Sequence, residues 1–155
     1  MESISVFDII KIGIGPSSSH TMGPWEAALH FCHELKAVGL DSIDRVHCSL
    51  YGSLAKTGKG HGTDFAVTLG LAGYSYKTAN TQELENEYQR ILKEKILRLA
   101  GKKLISFENL IEFFPFITLE EHPNGMTLEA YSSEKCIWKL PFHFQLITQI
   151  SRLTV

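Results

Sequence analysis

The spacing of apolar residues changes along this chain, and that change limits what it can fold into. In "WEAALHFCHELKAVG", Trp25, Ala28, Leu29, Cys32 and Leu35 recur at helical spacing, with Pro24 suited to a first turn and Gly39 to a stop. "SIDRVHCSLYGS" is apolar and β-prone at Ile43, Val46, Cys48 and Leu50, which predicts a strand ending at Gly52. "DFAVTLGLAG" predicts a short apolar helix with Thr63 or Asp64 as N-cap. "TQELENEYQRILKEKILRLAG" predicts a long surface helix with Leu84, Tyr88, Ile91, Leu92, Ile96 and Leu99 on one face. The last third turns to short β segments, "LISFE", "FFPFITLEEH", "MTLEAYS" and "CIWKLPF", with "HPNGM" as a hairpin turn at Asn124 and Gly125. Helices followed by a run of strands predict an α+β fold, with helices on one face of a mixed or antiparallel sheet.

At 155 residues and 44% hydrophobic, with no repeat or Pro/Ser-rich linker, the chain is expected to form a single domain over residues 1–155. A formal net charge of −2 gives no broad positive field, which argues against nucleic acid as a partner. No stretch approaches the roughly 20 apolar residues that span a bilayer, and "MESISVFDII" lacks the basic start of a signal peptide. The expectation is a cytoplasmic protein with no membrane partner. Cys32, Cys48 and Cys136 form no close pair and read as small buried apolar residues, a poor set for zinc or an iron–sulfur cluster.

Two loops carry the chemical signal. "GIGPSSSHTMGP" feeds the first helix, so its backbone N–H groups and the positive end of the helix dipole suit a carboxylate or phosphate. Ser17, Ser18, Ser19 and Thr21 add neutral hydroxyls, and His20 adds a group that titrates near neutral pH. Helix capping alone would need only one of these hydroxyls. The segment is neither a P-loop nor a dinucleotide fingerprint, and no nucleophile elbow supports a Ser–His hydrolase. In "TGKGHGTDF", Gly58, Gly60 and Gly62 alternate with Lys59 and His61, so Lys59, His61 and Thr63 could project together toward a ligand. No metal site is expected, because His20 and His61 are far apart in sequence and lack helical spacing.

"GIGPSSSHTMGP", "YGSLAKTGKGHGTDFA" and "EEHPNGMTLEAY" together resemble the β domain of bacterial iron–sulfur-dependent L-serine dehydratases, over nearly the whole chain. The resemblance implies a two-layer α/β sandwich similar to the allosteric substrate-binding domain of D-3-phosphoglycerate dehydrogenase. It also implies an enzyme that converts L-serine to pyruvate and ammonia. Its [4Fe–4S] cluster would be bound by a separate catalytic α domain or subunit and not by this chain. By the same resemblance, Ser17, Ser18, Ser19, His20, Thr21 and Gly62 would bind substrate at the interdomain surface, and His61 and Thr63 would serve catalysis. L-serine, the α domain and a homo-oligomeric mate are the expected partners, and this chain alone is expected to be inactive. Two alternatives are a regulatory module that binds serine or another small carboxylate, and an interaction domain whose loops only form an interface. "HPNGM" is expected to position the sheet, although Asn124 could face the domain interface.

Overall fold

The computed structural model describes residues 18–58, 62–120, 123–144 and 150–152, with the side chains of Ser18, Ser19 and 150–152 left aside. A π-helical turn, Ser18–Met22, runs directly into helix α1, Gly23–Val38. Pro24 stands in the first turn of α1, which its fixed φ suits. Gly39 ends the helix at φ 106°, and its N–H donates to the Leu35 carbonyl. Trp25, Ala28, Cys32 and Leu35 are buried as the periodicity requires.

Strand β1, Arg45–Tyr51, follows, then two helices, α2 at Gly52–Thr57 and α3 at Thr63–Leu71. Helix α4 spans Thr81–Glu94, and the Asn80 side chain caps it by accepting from the Gln82 and Glu83 N–H groups. The strands β2 (Ile96–Leu99), β3 (Lys103–Ser106), β4 (Ile111–Phe114), β5 (Gly125–Ser132), β6 (Lys135–Phe144) and β7 (Ile150–Arg152) complete the chain.

Five strands form one sheet in the order β4-β1-β5-β6-β7, in which β1 runs parallel to β4 and antiparallel to β5. Val46, Cys48 and Leu50 stand opposite Ala130, Leu128 and Met126, and all six are buried. These rows meet Ala28, Phe31, Cys32 and Leu35 of α1 in one apolar cluster, so helices and sheet form the two layers the sequence predicts. Leu97, Leu99 and Ile105 of the separate β2–β3 ribbon join the same core. A second cluster gathers Trp25, Phe65, Leu69, Tyr76 and Leu84, with the Trp25 indole N–H donating to the Tyr74 carbonyl at 2.7 Å.

Several expectations are corrected. The predicted helix over residues 81–101 stops at Glu94: Lys95 adopts the left-handed conformation, and Leu97 and Leu99 are buried from a strand instead. Gly62, not Thr63 or Asp64, holds the N-cap position of α3, at φ 68° and with no side-chain cap. "HPNGM" does not join a hairpin, because β1 lies between β4 and β5. The tight antiparallel turn is instead Ser133–Glu134, both at positive φ, between β5 and β6. Cys32 and Cys48 are buried as expected, but Cys136 is exposed, near the start of β6.

Candidate functional site

The π-helical turn and α1 form one helical run from Ser18 to Val38, which places Ser18 and Ser19 at its positive end. Within this run His20 is half-buried and Thr21 is 1% exposed. The first loop is held from below by the second. The Thr63 hydroxyl donates to the His20 carbonyl at 2.5 Å, while the Thr63 N–H donates to the Gly58 carbonyl at 2.8 Å. Thr63 is fully buried, so its observed contact is that of a brace beneath His20. Gly62 is buried beside it, and its carbonyl accepts the Ala66 N–H at the start of α3.

A residue that sequence reasoning missed completes the arrangement. The Ser53 hydroxyl lies 2.8 Å from His20 Nε2. Ser53 is the second residue of α2, and its main chain is fixed on both sides. Its N–H donates to the Pro123 carbonyl at 3.0 Å, and its carbonyl accepts the Thr57 hydroxyl at 2.9 Å. The approach of Pro123 depends on Gly52, which has φ 54° and no Cβ to meet the incoming carbonyl. Asn124 then secures the turn to the end of β6. Its side-chain N–H donates to the Phe144 carbonyl, and its own carbonyl accepts the Phe144 N–H. The one signal in the sequence was a Gly-Ser pair directly after a strand, where a backbone reversal exposes a hydroxyl at a helix start.

Among the expected site residues, His20 and Thr63 are therefore brought together, with Gly62 adjacent in the chain. Thr21 is packed into the base of the helical run. Ser18 and Ser19 are described in backbone only. Ser17, Lys59 and His61 lie outside the described residues, as does His122 of the HPNG segment. Asp64, at the start of α3, accepts the Phe65 N–H and lies 3.4 Å from the Tyr88 hydroxyl. Burial, reinforced by Asp64, pushes the Tyr88 phenol well above its ordinary range, so it acts there as a neutral donor.

The thiols do not fit an iron–sulfur cluster. Burial pushes Cys32 up to about 12 and Cys48 higher still, which opposes the thiolate form that iron requires. Cys32 spends its S–H on the Leu71 carbonyl, and Cys136 is exposed near the turn between β5 and β6. No group of three His, Cys, Asp or Glu among the described residues could hold a metal ion. No helix among the described residues is long and apolar enough to cross a membrane.

The pattern of the serine dehydratase beta chain matches residues 5–142. The chain belongs to that family. It is 45% identical over 130 residues to L-serine dehydratase of Mycobacterium tuberculosis, covering 83% of this chain and 28% of that protein. It is 40% identical over 140 residues to L-serine dehydratase of Helicobacter pylori, covering 90% of this chain and 30% of that one. Against L-serine dehydratase 1 of Escherichia coli it is 38% identical over 144 residues, covering 90% of this chain and 32% of the relative. This serine dehydratase beta chain thus spans about a third of the length of these relatives, and all three loops of the site fall within the matched region.

Proposed function

We propose that this beta chain is one part of an L-serine dehydratase, a lyase that converts L-serine to pyruvate and ammonia. In that assembly it supplies the surface that receives the substrate carboxylate. The observation that carries this reading is the convergence of three separated segments on His20. Thr63 holds its backbone, Ser53 meets its ring, and Pro123 holds Ser53. The relatives' names, L-serine dehydratase, supply the substrate and the dehydration reaction.

In this role the serines at positions 17, 18 and 19 and the His20 ring donate hydrogen bonds to the carboxylate at the positive end of a helical run. Thr21 and Gly62 shape the floor. His61, which precedes α3 in the chain, would act at the reacting end of the substrate. Thr63 serves it by holding the two loops together. A cluster of the kind the resemblance implies belongs to the remaining two thirds of the enzyme, because the thiols here are unsuited to it.

An anaerobic serine dehydration assay tests the proposal, run on this chain alone and together with the complementary cluster-bearing portion. Pyruvate should form only in the mixture. His20→Ala in the mixture should raise KM by about tenfold or more, as loss of a charge-assisted hydrogen bond does. Pyruvate from the chain alone, or an inactive mixture with a loaded cluster and demonstrated association, would refute it.

A further inference from the structure

Phe116 is the most exposed large apolar side chain among the described residues, at 93%, and its neighbour Ile117 is 51% exposed. Single exposed apolar residues are ordinary on a protein surface, as Leu104 on the β2–β3 ribbon illustrates. The setting of Phe116 is different. Phe114, Pro115, Phe116 and Ile117 make a tight turn off the end of β4, closed by the Ile117 N–H donating to the Phe114 carbonyl at 3.3 Å. Pro115 takes the second position of that turn, where its fixed φ presets the bend. The turn is fastened on both sides: Phe114 stacks on Tyr51 with ring centroids 5.4 Å apart, and Leu119 packs directly over Gly125 at the start of β5. No residue from Phe114 to Leu119 is charged. An apolar ring is thus presented on a preformed support, so little conformational freedom is lost when something covers it.

We propose that Phe116 and Ile117 are the anchor by which this beta chain docks against the remaining portion of the L-serine dehydratase, with the Phe116 ring seated in an apolar pocket there. The inference rests on the reading above that the chain is one part of that enzyme. Two observations select this occupant. Each of the three relatives carries about two thirds of its length outside the matched region, so in such an enzyme this chain has a large body to lie against. The turn also borders the candidate site: the Ile117 carbonyl oxygen lies 3.7 Å from where a Cβ on Gly52 would stand, and Gly52 is joined to Ser53, which meets the His20 ring. A surface that receives substrate for a partner must close against that partner at its edge, and an aromatic anchor there both supplies affinity and excludes water.

Calorimetric titration of the beta chain with the complementary cluster-bearing portion reads the contact directly. Phe116→Ala should weaken association by about tenfold or more, the scale for truncating an aromatic anchor, and Phe116→Asp should weaken it further. Phe116→Leu should keep most of the affinity, and Leu104→Asp, on the β2–β3 ribbon, should leave it unchanged. Because the ring is exposed in the chain alone, every Phe116 variant should keep the wild-type urea midpoint, which a residue needed for folding would not do. In the dehydration assay, the concentration of Phe116→Ala chain that gives half-maximal pyruvate formation should rise in step with Kd, while the rate at saturation stays nearly unchanged. Association unmoved by Phe116→Asp would overturn the inference and leave the functional reading standing. A loss confined to self-association of this chain would also overturn it, and would assign the patch to a second copy. Association that depends on Phe116 in a mixture that forms no pyruvate would uphold the docking surface and overturn the functional reading.

Discussion

A Cβ on Gly52 would lie 2.6 Å from the carbonyl oxygen of Pro123, a separation that real Cβ atoms do not tolerate. That carbonyl is also the acceptor for the Ser53 N–H, so the turn around Pro123 and the start of α2 occupy their places only while residue 52 lacks a side chain. Gly52→Ala should cost about 1–2 kcal/mol for the left-handed backbone alone, and more through displacement of the Pro123 turn. Urea unfolding of the variant reads the cost. A loss below about 0.5 kcal/mol, within the range of an ordinary surface substitution, would show that the turn moves aside freely.

Trp25 should be the most sensitive position in the smaller apolar cluster. It is fully buried, meets Phe65 and Tyr76 edge to face at 6.0 and 5.4 Å, and donates its indole N–H to Tyr74. Trp25→Ala should destabilise the fold by about 3–5 kcal/mol, the range for truncating a buried aromatic. Trp25→Phe keeps much of the packing but leaves the Tyr74 carbonyl unpaired, and should cost about 1–3 kcal/mol. Equal losses in the two variants would assign the whole effect to the N–H.

Thiol reactivity should separate the three cysteines. Cys32 and Cys48 are buried with thiol pKa values pushed up, while Cys136 is exposed. Titration of the native chain with an aromatic disulfide should modify one thiol quickly, and Cys136→Ser should abolish that fast phase. Denaturant should reveal the remaining two. Fast labelling of Cys48 in the native state would contradict its burial in the β1 core row.

Acid should weaken α4 through Glu87. The Arg90 guanidinium bonds both of its carboxylate oxygens, at 2.9 and 2.7 Å, and holds it below the ordinary value of 4.5 despite partial burial. A carboxylate whose pKa is lower in the folded state stabilises fully above its unfolded value. That contribution fades as pH falls from about 4.5 through the lowered folded value. Arg90→Met should therefore flatten the fall in stability below that point, as measured by urea midpoints across acidic pH. An unchanged acid slope would remove Glu87 from the account.

How much of this was legible in the sequence depended on whether a signal was local. Pro24, Gly39 and the spacing of Trp25, Ala28, Cys32 and Leu35 place α1 because each acts within a turn or two of itself. The same rule misled at Ile96 and Leu99, which keep helical spacing with Ile91 and Leu92 but belong to a strand. What decides there is pairing: Leu97 and Leu99 gain burial by lying opposite Ile105 and Lys103, a partner that helical periodicity cannot reveal. His20 and Thr63 stood out by composition, each in an unusual loop. Ser53 did not, because an isolated serine looks ordinary until Pro123 and His20 reach it from distant parts of the chain.

The placement of β1 between β4 and β5 governs the order of assembly. During synthesis the central strand emerges early, yet both of its neighbours arrive only with the last third of the chain. Until then Val46, Cys48 and Leu50 have a helix to lie against but no edge to bond, so the slow, long-range step of folding is the closure of the sheet around β1. Pro123, which sits between those two late strands, reaches Ser53 in the same step. The His20 ring therefore gains its Ser53 support, fixed through Pro123, only when the sheet closes, and a nascent chain with an open sheet lacks that support.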